Sequence, residues 1–119
     1  MFCFHEKLQK ADFAKGIKLM VLGAGRNMNV LHWNMANGTS VPPHEHPEEQ
    51  FGYVIKGGFK MQIGDDEATL KAGDCYFIPP NAQHCFTAID DTEAIDVFSP
   101  VRVGPAGGKT QSVAAGVTG

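Results

Sequence analysis

Basic charge is scarce in this sequence. Ten Lys and Arg stand against thirteen Asp and Glu, giving a formal charge of −3, and the cations are scattered along the chain. A nucleic-acid binder of this size presents a basic face, so no nucleic-acid partner is expected. No apolar run approaches the ~20 residues that span a bilayer, which argues against a membrane helix. The opening MFCFHEKLQK lacks the apolar stretch of a signal peptide. Cysteine is sparse too. Cys3, Cys75 and Cys85 make an odd number without a CxxC spacing. That argues against a disulfide framework and for a reduced, cytoplasmic protein.

What is present suits one domain. The 119 residues are 43% hydrophobic, enough for a single core, and only 19% are charged, too few for a disordered chain. The stretch Gly58–Gly64 alternates cleanly, with Phe59, Met61 and Ile63 on one face and Lys60 and Gln62 on the other. Gly64-Asp65-Asp66 signals a hairpin into Glu67–Lys71. Further strands are expected at Ile17–Leu22, Asn27–Met35, Gln50–Lys56, Asp74–Ile78, His84–Ala88 and Glu93–Phe98, and a short helix at Glu6–Ala14. Many short strands punctuated by Gly and Pro indicate an all-β sandwich or small barrel. The barrel is expected to occupy residues 1–103. Residues 104–119 carry one charge, Lys109, and no periodicity, and are expected to form a flexible tail.

Within VPPHEHPEEQ, His44 and His46 are two positions apart. On an extended segment such residues point to one face and can grip one ion. Imidazole suits Zn, Ni, Fe and Cu, although a surface HxH without metal is also common. His5 is expected at the surface, and His32 as a partly buried structural histidine.

The spacing around these residues resembles the two motifs of the cupin superfamily. Gly38, His44-Glu45-His46, Gln50 and Gly57 match the first; Gly73, Pro79-Pro80-Asn81 and His84 match the second. The resemblance implies a single-domain cupin, a double-stranded β-helix or jelly-roll barrel, with a metal held inside by His44, His46, residue 50 and His84. Two positions depart from the pattern. Asn81 replaces a glycine, a mild change because Asn tolerates a left-handed turn. Gln50 replaces a glutamate. It is either a lost ligand in a metal-free small-molecule binder or an amide ligand that leaves the ion its full charge for Lewis-acid work. Retention of all three histidines favours the ligand. Glu48 and Glu49 are expected at the barrel mouth or in solvent.

Further on, Asp96 and Phe98 share one face of a strand. A carboxylate inside an apolar strand is costly unless it is hydrogen-bonded or working. HPEEQ, IPPNAQH and DVFSPVR together resemble the KdgF family, from about Gly16 to Arg102. That resemblance implies one divalent metal (Zn, Ni, Fe, Mn or Co) on His44, His46, Gln50 and His84, with Asp96, Phe98 and Arg102 acting on substrate. It implies the opening of 4,5-unsaturated monouronates to linear 5-keto-4-deoxyuronate, in pectin and alginate breakdown. Asp96 is the expected acid–base, Arg102 the carboxylate clamp and Phe98 an apolar wall, with Tyr53 and Gln62 as further lining. A homodimer is expected by the same resemblance. A polyketide cyclase, a dioxygenase and a non-catalytic sugar-binding cupin remain as alternatives.

Overall fold

In the computed structural model, residues 2–102 are described; the tail expected at 104–119 lies outside the described residues. Among these, ten strands follow a 3-10 turn at His5–Lys7. They are β1 (Ala11–Ala14), β2 (Ile17–Ala24), β3 (Asn29–Met35), β4 (Ser40–His44), β5 (Glu49–Lys56), β6 (Gly58–Ile63), β7 (Asp66–Lys71), β8 (Cys75–Ile78), β9 (His84–Ala88) and β10 (Thr92–Ser99). One sheet runs β1-β2-β3-β10-β5-β8, the other β4-β9-β6-β7. Every ladder is antiparallel. Late strands return between early ones, β10 between β3 and β5 and β9 between β4 and β6, which is the jelly-roll arrangement expected. No helix among the described residues is long and apolar enough to cross a membrane.

Period-two alternation builds the interior. β10 buries Thr92, Ala94, Asp96 and Phe98 and turns Glu93, Ile95 and Val97 outward, while β5 buries Gln50, Gly52 and Val54. One core cluster gathers Val54, Phe59, Ile78 and their neighbours; a second holds Leu19, Val21, Leu31 and Phe98. Each such side chain contributes about 1.5–3 kcal/mol through the area it removes from water. The expected hairpin is present: Ile63 pairs with Asp66 around Gly64-Asp65, with Gly64 at φ +57°.

Two strands differ from the sequence expectation. The segment expected as a helix at Glu6–Ala14 yields only the 3-10 turn and then β1. The hairpin at Gly16 pairs β1 with β2, and Phe13 stacks edge-on against Trp33 at 5.3 Å. β4 lies across Pro42-Pro43, where two missing amide donors argue against a central strand. It is an edge strand, bonded only to β9, and its register breaks between Val41 and His44, so the prolines interrupt little. Asn81 does take the left-handed conformation, at φ +64°.

Candidate metal centre

The histidines converge from three segments. His44 ends β4 and is the cross-strand partner of His84, which begins β9; His46 follows two residues after His44. Their ligand atoms lie within 4.8 Å of one another. Each ring is held the same way, its Nδ1–H donating to a carbonyl two residues away. His44 bonds Pro42 O, His46 bonds Glu48 O and His84 bonds Ala82 O, each at 2.9 Å. These bonds leave the lone pairs on Nε2, as histidine ligands to metals require.

The atoms so exposed fit a cation. His84 Nε2 is buried with no hydrogen-bond partner. His46 Nε2 stands 3.0 Å from Gln50 Oε1, so two lone-pair-bearing atoms face each other. A positive ion would satisfy all three atoms at once. Burial, then the neighbouring His44, His46 and Arg102, push the His84 ring down to about 4. Burial and then Arg102 lower His46 as well. Both rings are therefore neutral at physiological pH, the state that ligates.

Gln50 joins this cluster to a carboxylate. Its amide also favours the charged form of Asp96, as do the Tyr76 hydroxyl and the Trp33 indole. Burial is the larger effect, lifting Asp96 to about 6. The Tyr76 hydroxyl donates to Asp96 Oδ1 at 2.5 Å, whereas Trp33 Nε1 has no aligned acceptor. A glutamine at position 50 can present oxygen to a cation and N–H to Asp96. A glutamate would set two carboxylates side by side.

Phe98 and Arg102 complete a cavity of about 230 Å³ that His44, His46, Gln50 and Asp96 also line, with Leu31 and Trp33. The Phe98 ring lies 5.8 Å from the His46 ring and 5.8 Å from the Arg102 guanidinium. Arg102 is tied down on two sides. Its backbone N–H donates to Asn29 Oδ1 at 2.8 Å, and Nη1 donates to Glu48 Oε1 at 3.1 Å.

All seven residues expected at the site thus gather around one point. Glu49 is exposed, as expected. Glu48 is not: its side chain is only 12% exposed because Arg102 pairs with it. Tyr53 and Gln62 point outward and line nothing here, Tyr53 being 44% exposed. His32 is a buried outward-face histidine bonded through Nε2 to Glu93 at 2.6 Å. Tyr76, Trp33, Asn29 and Glu48 are the site residues that sequence reasoning missed.

Residues 31–98, more than half the chain, match the family model for the cupin domain. The chain belongs to the cupin family. This cupin superposes on KdgF from Halomonas sp. with a TM-score of 0.82 and 26% identity, over 86% of its own length and 94% of that chain. An RmlC-like cupin from Shewanella frigidimarina gives a TM-score of 0.82 and 30% identity, over 85% and 91%. By sequence it is 34% identical over 70 residues to H2HPP isomerase of Bacillus subtilis, which is 56% of this cupin and 29% of that protein. It spans between 24% and 56% of the length of four curated relatives that it matches.

Proposed function

We propose that this cupin is a metal-dependent enzyme that opens 4,5-unsaturated monouronates to the linear 5-keto-4-deoxyuronate. The observation that carries the proposal is a buried carboxyl, Asp96, lining the same small cavity as His44, His46, Gln50 and Arg102. Structural similarity to KdgF supports it. The cavity is smaller than the ~300–1,000 Å³ usual for drug-sized ligands, which favours a single sugar ring over a polycyclic substrate.

His44, His46, His84 and Gln50 would hold one divalent ion. Its ligands being uncharged, the ion would supply a Lewis acid of undiminished charge for oxygen atoms that turn negative during ring opening. Asp96 takes the proton from O1 as the C1–O1 bond becomes a carbonyl and the bond from C1 to the ring oxygen breaks. The electron pair stays on that oxygen, leaving an enolate at C5. A proton delivered by Asp96 to C4 then gives the ketone, so the sequence is an isomerisation with no external nucleophile. Arg102 grips the C6 carboxylate, its guanidinium matching a carboxylate in a fork. Phe98 excludes water beside it.

The direct test incubates the protein, loaded in turn with Zn, Ni, Fe, Mn or Co, with an unsaturated monouronate. Loss of the conjugated ultraviolet absorbance is the readout. No turnover with any of the five metals overturns the proposal. A second reading, another proton-transferring isomerase on a different carboxylated substrate, draws on the identity with H2HPP isomerase and would survive that result.

Gln50→Glu is expected to keep or tighten metal binding, measured by chelator competition, while lowering kcat/KM about tenfold or more. The added carboxylate faces Asp96 and repels a carboxylated substrate by at least ~1 kcal/mol in a partly buried site. Unchanged kcat/KM would mean that the neutral amide is not needed. Arg102→Ala should raise KM about tenfold with kcat unchanged if the clamp acts equally in ground and transition states, and should lower kcat as well if the grip tightens during ring opening. Because this change strands Glu48, the companion Glu48→Gln in the same background controls for the unpaired charge.

A further inference from the structure

One row of the six-stranded sheet crosses three strands. Asp96 of β10 pairs with Gly52 of β5, and Gly52 pairs with Tyr76 of β8. All three face the interior. Neighbouring strands lie ~4.8 Å apart, so the backbones of Tyr76 and Asp96 are roughly 10 Å apart. Only a long side chain laid flat across the middle strand spans that gap. Gly52 leaves room for it: a Cβ there would overlap Cζ, Cε2 and the hydroxyl of Tyr76. The ring occupies the space a side chain at position 52 would fill, and its hydroxyl reaches Asp96.

Tyr76 does not line the cavity beside His44 and His46, whereas Asp96 does. It is 8% exposed and packs edge-on against Phe59. Mere filling of the core would be served as well by a phenylalanine ring opposite an apolar residue, with no polar atoms to bury. Without the Tyr76 hydroxyl, by contrast, the carboxyl would keep only the weaker holds of the Gln50 amide and the Trp33 indole and could turn about its side-chain bonds. We infer that Tyr76 is a positioning residue that locks the Asp96 carboxyl toward the cavity, and that Gly52 is the gap which lets it reach. The part Asp96 plays in turnover rests on the function proposed above; the lock itself does not.

The test compares wild type, Tyr76→Phe, Asp96→Asn and the double variant, each as metal-loaded protein. Tyr76→Phe keeps the ring and therefore the packing. It is expected to lower kcat about tenfold, with KM and metal content within twofold of wild type. In the Asp96→Asn background the same change should alter kcat by less than twofold, because the residue it positions has gone. Crystals of Tyr76→Phe should show Asp96 rotated or spread over several rotamers. Gly52→Ala, which displaces the ring instead of trimming it, should release Asp96 in the same way. An Asp96 that stays in its original rotamer in Tyr76→Phe overturns the inference, whatever the kinetics. So does an active enzyme whose kcat is unmoved by Tyr76→Phe, or a tenfold loss that persists in Asp96→Asn. If wild type turns over no uronate, the proposed function fails and the crystallographic comparison alone decides this point.

Discussion

His84→Ala is expected to take the protein from one bound divalent ion per chain to almost none. Of the three histidines, His84 is the most deeply placed, 2% exposed, with an unpartnered Nε2. Its ring is kept neutral by burial and oriented by Ala82, so it enters a metal site with little left to reorganise. Structural zinc sites with four ligands bind with ~10–16 kcal/mol, or roughly 3–4 kcal/mol per ligand, so losing one weakens affinity by about 10²- to 10³-fold. Elemental analysis of protein made without a metal-affinity tag measures the occupancy. A second readout needs no substrate. Metal that binds only the folded state raises the melting temperature, so added Zn or Ni should stabilise wild type and leave His84→Ala nearly unmoved. Full occupancy in a variant with His44, His46 and His84 all replaced by alanine would refute the site.

The reach of the sequence follows from what each kind of spacing can encode. Residues on one strand declare their shared face by alternation. Asp96 with Phe98, and Phe59 with Met61, were legible for that reason and lie inside as expected. The same rule speaks against Tyr53, which stands an odd number of positions from Gln50 and so turns outward on β5. It speaks against Gln62 too, which alternates with Met61 and Ile63. Both were misplaced although the signal was present. β4 was hidden by its prolines, because edge position is a property of the sheet and not of the segment. No alternation could reveal the pairing of Tyr76 with Asp96, of Arg102 with Glu48 or of Asn29 with the Arg102 backbone. Those contacts join residues 20, 54 and 73 positions apart across neighbouring strands and loops. The clustering of His44, His46 and His84, the proposed metal ligands, was legible because the resemblance carries their spacing. What supports them is set by the register of strands far apart in the chain.

Asp96→Asn is expected to leave fold and metal in place and to lower kcat by about 10²-fold or more, as for a removed acid–base group. The carboxyl is buried, 3% exposed, and burial lifts it to about 6, close to neutrality, where a group can both accept a proton and return it. Asparagine has nearly the same shape and keeps an oxygen to accept the Tyr76 hydroxyl, so the row through Gly52 is preserved. Its amide cannot take a proton from O1 or carry one to C4. The histidines are untouched, and their bonds to Pro42, Glu48 and Ala82 do not involve Asp96. Metal content and melting temperature measured in the kinetic samples should therefore match wild type, which separates lost chemistry from a lost site. A variant as fast as wild type on an unsaturated uronate would remove Asp96 from the mechanism. The proton would then have to move through another group at the cavity, and Glu48, released from Arg102, is the remaining carboxyl within reach of the histidines.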